Sequence, residues 1–350
     1  DGVGYPHISY LDYTNGDLKY AYLDASGWYF HTLDSRGDVG YYTSLALDGV
    51  GYPHISYFDE SNNALKYAYR DASGWHFQTV DSEGSEGWLR YSDTSLALDE
   101  SGYPHISYYN KDLPIKLKYA FRDESGWHSE VVFTGARACA SYCGWEMATS
   151  MILDGDSHAH ISFWDFTCGY HDLKYAYRDT SGWHVETVDS EGKVGGYNSL
   201  ALGSDGYPHI SYQDSYNSDL KYAYQDTSGW HFQTVDSEGG RYTSLALDAE
   251  GNPHISYYAD GSNDLKYARR VGSGGSCGYD LDTYALIGTW DCQIVDAAGD
   301  VGSYNSLALD SNDLPHISYR DATNDRLKYA RLISIPLGAW EIETLTSGGF

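Results

Sequence analysis

Short apolar or alternating segments are separated along the chain by polar turns, and residues 44–80 show the layout clearly. We call the four segments of this unit strands A to D; they span residues 44–47, 54–57, 65–69 and 75–80. In strand C, Tyr67 and Tyr69 alternate with Lys66 and Ala68, the period of two that is typical of a β-strand. The turns between the strands are rich in Gly, Pro, Asn, Asp and Ser. This pattern predicts a four-stranded antiparallel meander.

The same unit recurs along the whole chain. The sequence Pro-His-Ile-Ser-Tyr of strand B occurs six times, and a variant beginning at Ala159 fills the one gap. Neighbouring histidines of strand B lie 45 to 62 residues apart, a spacing that suits one four-stranded unit per repeat. These histidines are His7, His54, His105, His160, His209, His254 and His316.

Seven such sheets bury their end faces best when they close into a ring. We therefore predict an all-β fold, a seven-bladed β-propeller that forms a single domain over residues 1–350; a superhelical array of sheets is the alternative. Strand A occurs only six times, since the first unit opens directly at strand B. We expect a longer chain whose missing strand closes the ring. Donation of that strand by a neighbouring subunit, which would build a filament, is the alternative.

Composition and charge restrict the partners. The chain has 350 residues, 36 of them Tyr, and a formal net charge of −28, with 22 Lys and Arg against 50 Asp and Glu. Such a surface repels nucleic acid and anionic membranes. No segment reaches the roughly 20 apolar residues of a membrane helix, and no basic-then-apolar leader opens the chain. We expect a soluble, already processed protein with neither nucleic-acid nor membrane partners.

The repeated units Pro-His-Ile-Ser-Tyr, Leu-Lys-Tyr-Ala and Ser-Gly-Trp resemble those of uncharacterised secreted propeller proteins of bacteria and archaea, over essentially the whole chain. The turn Asp-Ala-Ser-Gly-Trp of residues 71–75 also looks like the Asp-box of sialidase-type propellers, although its order and spacing differ. Propeller lectins are similar in architecture and hold sugars in aromatic pockets between blades. The resemblance implies a fold and no particular activity.

Side chains that recur once per repeat predict packing, because catalysis needs one asymmetric cluster. We interpret the seven histidines as hydrogen-bonded to a neighbouring strand or blade, with metal binding as the alternative. A recurring lysine in strand C should pair with the Asp found five residues after the strand B histidine, as in Asp12 and Asp59, rather than bind a ligand. These lysines are Lys19, Lys66, Lys118, Lys174, Lys221, Lys266 and Lys328.

A tryptophan opens every strand D. We interpret it as an anchor for the turn, with stacking on a sugar ring as the alternative. Carboxylate-rich loops, such as residues 59–63, lack the Asp-x-Asp-x-Asp-Gly pattern of a calcium loop. We therefore expect no cofactor and no metal, with calcium as the alternative. The seven tryptophans are Trp28, Trp75, Trp127, Trp183, Trp230, Trp290 and Trp340.

Two irregular segments, residues 134–148 and 164–172, interrupt the repeat on the same predicted face. If one specific ligand site exists, it should lie there, together with the preceding loop of that face. The candidate ligand-binding residues are Trp88, Arg90, Trp145, Trp164, Phe166, Tyr170 and His171. We predict a disulfide from Cys168 to Cys143 or Cys139, and a second between Cys277 and Cys292. Two such disulfides favour an extracellular or cell-surface location.

No motif of an enzyme appears, since phosphate loops, nucleophile elbows and His-Glu-x-x-His are all absent from the sequence. The sequence favours a non-catalytic recognition, adhesion or surface-assembly propeller whose partner is a glycan or a protein surface. Two alternatives stay open. One is a filament subunit that self-associates by strand donation; the other is a glycoside hydrolase or lyase that acts on polysaccharides with a pair of carboxylates.

Overall fold

The computed structural model describes residues 1–82, 93–110, 114–135, 148–166, 171–281, 283–333 and 338–345. These residues form β-strands and turns, and they contain no helix. Within this described part of the chain, no helix is long and apolar enough to cross a membrane. The predicted all-β class is therefore confirmed. The chain divides into two compact units, the first comprising Asp1–Tyr170 and Tyr175–Glu186, the second His171–Lys174 and Thr187–Phe350.

The first unit contains thirteen complete strands and most of two more. They are β1 (His7–Asp12), β2 (Asp17–Asp24), β3 (Gly27–Asp34), β4 (Val39–Leu47), β5 (Pro53–Asp59), β6 (Ala64–Asp71), β7 (Gly74–Asp81), β8 (Thr94–Leu98), β9 (Pro104–Asn110), β10 (Lys116–Asp123), β11 (Gly126–Thr134), β12 (Thr149–Leu153), β13 (Ala159–Asp165), β14 (Asp172–Asp179) and β15 (Gly182–Asp189).

The second unit contains the remaining strands of the described residues. They are β16 (Val194–Leu202), β17 (Pro208–Asp214), β18 (Asp219–Asp226), β19 (Gly229–Asp236), β20 (Arg241–Leu247), β21 (Pro253–Ala259), β22 (Asp264–Arg270), β23 (Cys277–Tyr279), β24 (Leu286–Asp296), β25 (Val301–Leu309), β26 (Pro315–Asp321), β27 (Arg326–Leu332) and β28 (Trp340–Thr344).

The sheets are small and antiparallel, and strands A to D follow one another within each repeat as predicted. In the described residues, the strand orders β4-β5-β6-β7, β8-β9-β10-β11, β12-β13-β14-β15 and β25-β26-β27-β28 give four meanders of four strands. The first sheet, β1-β2-β3, has three strands and contains no strand A. This agrees with the sequence, in which the first repeat opens at strand B.

The largest sheet departs from the predicted seven separate blades. It has nine strands, because β23 pairs with β19 through Thr234 and Tyr279 and also with β24 through Cys277 and Trp290. Strand β23 thereby joins two repeats into one sheet. The structure thus shows six sheets among its described residues, and it does not by itself separate them into seven blades. Strand β23 lies in an insertion between β22 and β24, strands C and D of this repeat, in which no strand was predicted.

The insertion also carries the predicted disulfide. Cys277 in β23 and Cys292 in β24 are bonded, with 5.8 Å between their Cα atoms. The bond closes a loop of about fifteen residues, which removes conformational freedom from the unfolded chain and stabilises the fold by about 3 kcal/mol. Cys139, Cys143 and Cys168, which were expected to supply the other disulfide, lie outside the described residues.

In the sheets that contain a strand A, strand B packs between strand A and strand C. In the second sheet, Ile55 pairs with Leu45 of strand A and with Ala68 of strand C. Ile55 and Ala68 are fully buried, as is Tyr57 two residues along strand B. The Pro-His-Ile-Ser-Tyr repeat therefore forms the buried centre of its sheet, which places its polar side chains in a position where each needs a partner.

Candidate functional site

The seven strand B histidines all make the same contact. In each repeat, Nδ1 of the histidine is hydrogen-bonded to a tyrosine hydroxyl of strand C, as for His7 with Tyr20 and His254 with Tyr267, both at 2.5 Å. The pairs His54–Tyr67, His105–Tyr119, His160–Tyr175, His209–Tyr222 and His316–Tyr329 repeat it. Burial lowers the pKa of each histidine, that of His7 to about 4. A neutral imidazole in seven identical contacts is a packing element.

The strand C lysines have a different main partner from the predicted one. In five repeats, Nζ contacts the aspartate that ends strand D of the preceding repeat, as in Lys221 with Asp189 at 2.6 Å. The same carboxylate accepts the hydroxyl of the strand B tyrosine, as Asp189 does from Tyr212 at 2.7 Å. The predicted hairpin aspartate is a weaker partner, with 3.4 Å between Lys66 and Asp59. The other four contacts are Lys66–Asp34, Lys118–Asp81, Lys266–Asp236 and Lys328–Asp296.

This lysine–aspartate–tyrosine joint links consecutive repeats. Burial favours the neutral form of Asp34, yet hydrogen bonds from Arg36, Tyr57 and Lys66 outweigh it and hold the pKa at about 2. Sequence reasoning missed this partner because the pairing crosses from one repeat to the next, although the aspartate recurs after strand D at residues 34, 81, 189, 236 and 296. Lys19 and Lys174 depart from this pattern, since both donate to a threonine of their own repeat. Lys19 also lies 3.4 Å from Asp12, its predicted hairpin partner.

The strand D tryptophans also link repeats. Trp127 packs edge-on against Tyr67, with ring centroids 5.4 Å apart, and its indole N–H donates to Gln78 at 2.8 Å. Trp290 does the same with Tyr222 and Gln233. Trp75, Trp183 and Trp340 likewise meet a strand C tyrosine of the preceding repeat edge-on. This geometry favours the anchoring interpretation over stacking on a sugar.

The irregular patch predicted as a ligand site is largely core where the structure describes it. Trp164 and Phe166 are only 4% and 6% exposed. The hydroxyl of Tyr109 donates to the carbonyl of Trp164 at 2.8 Å, and Phe166 packs edge-on against the Tyr109 ring. The cavity beside them, which Phe133 also lines, has a volume of about 10 Å³, enough for one water molecule and too small for a sugar.

Of the remaining residues of that predicted site, His171 alone is among the described residues. His171 belongs to the second unit, whereas Trp164 and Phe166 belong to the first. Trp88, Arg90, Trp145 and Tyr170 lie outside the described residues. Among the residues that are described, no group of three His, Cys, Asp or Glu side chains could hold a metal ion.

A more promising site lies in the second unit, where one tyrosine lies in each of β16, β20 and β25. We call Tyr197, Tyr242 and Tyr304 the tyrosine row. Each has a positive φ, of 50°, 52° and 52°, where an aromatic side chain is strained. The register of strand A shifts beside each of them, as at a β-bulge. Tyr42 in β4 holds the equivalent position with a φ of 52°, so this conformation belongs to the bulge at the start of strand A in several repeats.

The rings of the tyrosine row lie against one another. The ring centroids of Tyr197 and Tyr242 are 4.5 Å apart, and those of Tyr242 and Tyr304 are 4.6 Å apart. Tyr242 also meets the edge of Tyr258 at 6.3 Å. Tyr304, at one end of the row, is 45% exposed. Burial raises the pKa of Tyr242, whose hydroxyl is hydrogen-bonded with Tyr197 and Tyr304.

Polar and charged groups border the tyrosine row. The hydroxyl of Tyr258 donates to Asp300 at 3.0 Å, and Arg241, which precedes Tyr242 in the chain, pairs with Asp260 at 3.1 Å. Gln213 donates its amide N–H to the same Asp260 at 3.0 Å. Aromatic faces next to carboxylate, amide and guanidinium groups form the combination that binds polyhydroxylated rings, since C–H groups stack and hydroxyls hydrogen-bond.

The sequence carried a signal for this site. A tyrosine two residues before the strand A serine recurs at residues 42, 197, 242 and 304, in the sequences Tyr-Thr-Ser and Tyr-Asn-Ser. The predicted strand A began at the serine, whereas β4 begins earlier, at Val39. Conformation is what distinguishes these tyrosines from the many others, and a φ value cannot be read from composition.

A second cluster resembles a hydrolytic triad and differs from one in its geometry. In the turn before β11, Nε2 of His128 contacts both Ser125 Oγ at 2.9 Å and Asp123 Oδ1 at 3.0 Å, and Ser125 itself donates to Asp123 at 2.6 Å. In a triad the carboxylate holds Nδ1 and leaves Nε2 to the serine. Here both groups share one nitrogen. The arrangement recurs at three other exposed turns, which fits a turn cap.

The comparisons with known proteins support the fold. The chain is similar to a variant of Aleuria aurantia lectin in complex with Fucα1-6GlcNAc, at 14% identity and a TM-score of 0.51, over 87% of this chain and 96% of the lectin. It is similar to an ulvan lyase of family PL25, at 13% identity and a TM-score of 0.55, over 99% of this chain and 90% of the lyase.

A third similar structure is a putative 6-phosphogluconolactonase from Bacteroides uniformis, at 11% identity and a TM-score of 0.59, over 98% of this chain and 97% of that chain. The similar solved structures are β-propeller proteins and include lectins, which supports a propeller-like arrangement of the small sheets. At these identities the likeness concerns the fold alone. No family model and no curated protein matches the chain.

Proposed function

We propose that this protein is a non-catalytic extracellular recognition module that binds carbohydrate at the tyrosine row. The observation that carries the proposal is the set of three strained, mutually packed tyrosines with one exposed end. A disulfide suits an oxidising compartment. The existence of carbohydrate-binding lectins among the similar structures agrees with the proposed ligand class. We further propose that the nine-stranded sheet represents two blades, which gives a seven-bladed propeller.

The tyrosine row suits a neutral or cationic sugar better than an acidic one. Asp260 and Asp300 flank it, and the whole chain carries a net charge of −28. Close like charges would repel a uronate or a sulfated ring. The expected ligand is therefore a neutral hexose or deoxyhexose whose apolar face lies on the Tyr304 ring.

A glycan array tests the proposal, using Tyr304→Gly as the decisive variant. Glycine adopts a positive φ without strain, so this change removes the ring while the backbone stays acceptable. Tyr304→Phe keeps the stacking face, and Tyr29→Gly in β3 removes an exposed tyrosine of the first unit as the control. We expect binding to fall at least tenfold for Tyr304→Gly only. Equal binding by Tyr304→Gly and the wild-type protein would exclude the tyrosine row as the site.

The enzymatic alternative has a separate test. Incubation with polysaccharides, followed by assays for reducing ends and for the unsaturated products of a lyase, should reveal no turnover. Release of products at a rate proportional to protein concentration would contradict the non-catalytic assignment. It would also direct attention to carboxylate pairs with the separations that hydrolysis requires, about 5 to 9.5 Å.

A further inference from the structure

The second unit exposes two further tyrosines besides Tyr304. Tyr216 is 77% exposed and Tyr284 is 46% exposed, whereas most described tyrosines of strands B and C are buried. Tyr216 lies in the turn between β17 and β18, and Tyr284 lies in the insertion, between β23 and β24. Five other repeats join strands C and D by a short turn, so packing between equivalent repeats does not explain Tyr284. Exposed aromatic side chains that lie together mark a candidate binding surface.

The turn that carries Tyr216 lies at the same edge of its sheet as Tyr197 of the tyrosine row. Strand β16 begins at Val194, three residues before Tyr197, and Val194 pairs with Asp214. Asp214 in turn pairs with Asp219 across the turn between β17 and β18. Because neighbouring strands lie about 4.8 Å apart, Asp219 is about 10 Å from β16 across the sheet. The tyrosine row and this turn therefore follow one another along one edge.

The insertion brings Tyr284 to that edge from its outer side. Strand β23 pairs with β19 through Tyr279 and Thr234, two residues before β19 ends. Beyond β23, the hydroxyl of Tyr284 donates to the carboxylate of Asp219. One exposed tyrosine, Tyr216, therefore lies in the turn, and the other is hydrogen-bonded to the residue that follows the turn.

The backbone beneath both tyrosines is fixed by hydrogen bonds. Asp214 accepts the amide of Tyr216 at 3.0 Å, and the carbonyl of Asp280 accepts the amide of Tyr284 at 3.0 Å. The disulfide described above ties the base of the insertion to β24. Because this backbone is ordered before a ligand binds, less conformational entropy is lost on binding.

Polar groups occupy the surface between the tyrosine row and the insertion. Gln213 donates to Asp260, and the hydroxyl of Ser215 donates to the side-chain oxygen of Gln213 at 3.3 Å. The side-chain amide of Asn217 donates to Asp214 at 2.8 Å. Hydroxyl, amide and carboxylate groups between aromatic rings can hydrogen-bond the hydroxyls of successive sugar units.

We propose that Tyr216 and Tyr284 form an outer subsite, so that the ligand is a linear neutral oligosaccharide rather than a single sugar. One end lies on the tyrosine row, as in the proposed function on which this subsite rests, and a later unit of the same oligosaccharide stacks at the outer subsite. The carboxylates of Asp214 and Asp219 disfavour acidic sugar units there, as Asp260 does at the row. The second contact strengthens binding because it forms without another association step.

Isothermal titration calorimetry on the full protein tests the outer subsite, with neutral gluco-, manno- and galacto-oligosaccharides from the disaccharide to the octasaccharide. In the series that binds, affinity should rise about tenfold with length. Tyr216→Ser and Tyr284→Asn should each lower octasaccharide affinity about fivefold and leave disaccharide affinity unchanged, which also shows that the variants are folded. Asparagine accepts the φ of 52° at position 284, so this change removes the ring without straining the backbone.

Tyr13→Ser is the matched control, since Tyr13 is exposed in the corresponding turn of the first unit, between β1 and β2. It should keep the full gain with length. Three results, obtained while Tyr304→Gly abolishes binding, would overturn the outer subsite alone: no gain with length, a full gain in both variants, or equal losses for the disaccharide and the octasaccharide. Binding that survives in Tyr304→Gly, or no binding of any series, would overturn the proposed function together with the outer subsite.

Discussion

Removal of Asp189 should destabilise the protein far more than removal of an exposed acid. Its carboxylate accepts from Lys221 Nζ at 2.6 Å and from the Tyr212 hydroxyl at 2.7 Å. Tyr212 is 0% exposed, and Asp189 and Lys221 are 7% and 8% exposed. In Asp189→Ala the ammonium group and the phenol remain buried without this partner.

The structure sets the expected size of the effect. An unpaired buried hydroxyl alone costs about 1 to 3 kcal/mol. Breaking a buried ion pair from one side costs about 3 to 5 kcal/mol. Because the unpaired Lys221 ammonium group accounts for most of this cost, we expect Asp189→Ala to lower the free energy of unfolding by about 3 to 5 kcal/mol. The double variant Asp189→Ala/Lys221→Met, which removes both charges, should recover more than half of that loss.

Urea denaturation followed by tryptophan fluorescence measures these differences through the unfolding midpoint and its slope. The control is Glu341→Ala, which breaks an ion pair with Arg331 in which both side chains are 44% exposed. Such a pair contributes less than about 1 kcal/mol. If Asp189→Ala costs no more than the control, or if the double variant is less stable than the single one, the joint does not stabilise the fold as argued.

Three further predictions concern pH, the disulfide and the exposed turns. Burial lowers the pKa of the seven strand B histidines below 6.5, so the unfolded chain binds protons first as the pH falls. Stability should therefore decrease below pH 6.5 by up to about 1.4 kcal/mol per pH unit for each histidine, and for His7 this decrease should continue to about pH 4. Equal unfolding midpoints at pH 7 and pH 5 would contradict this. The variant Cys277→Ser/Cys292→Ser should lose about 3 kcal/mol in the urea assay, and a loss below 1 kcal/mol would show that the insertion is held by its strand pairing alone. Ser125→Ala should leave the glycan-array profile unchanged, and neither this variant nor the wild-type protein should hydrolyse a test ester. Ester hydrolysis by the wild-type protein that is lost in Ser125→Ala would support the triad interpretation instead.

The periodic part of the molecule could be predicted from the sequence. Alternation and turn residues identified strands B, C and D of each repeat, and the absence of strand A from the first repeat agrees with a first sheet of three strands. The prediction was incomplete at strand β23, since three residues in an insertion carry too little pattern to reveal a strand.

The contacts between repeats were harder to predict. Lys221 pairs with Asp189, 32 residues earlier, rather than with the nearby hairpin aspartate, because the repeats meet side by side and local spacing says nothing about that geometry. The irregular patch looked like a surface site because its aromatic residues break the repeat. The structure instead buries Trp164 and Phe166, and it places strained tyrosines where the sequence looks regular.

A structure of the protein with the glycan that binds best on the array tests the central claim most directly. The account predicts the apolar face of a neutral sugar on the Tyr304 ring, with hydrogen bonds to the polar groups that border the tyrosine row. A glycan bound elsewhere on the protein, with the tyrosine row unchanged and empty, would contradict it.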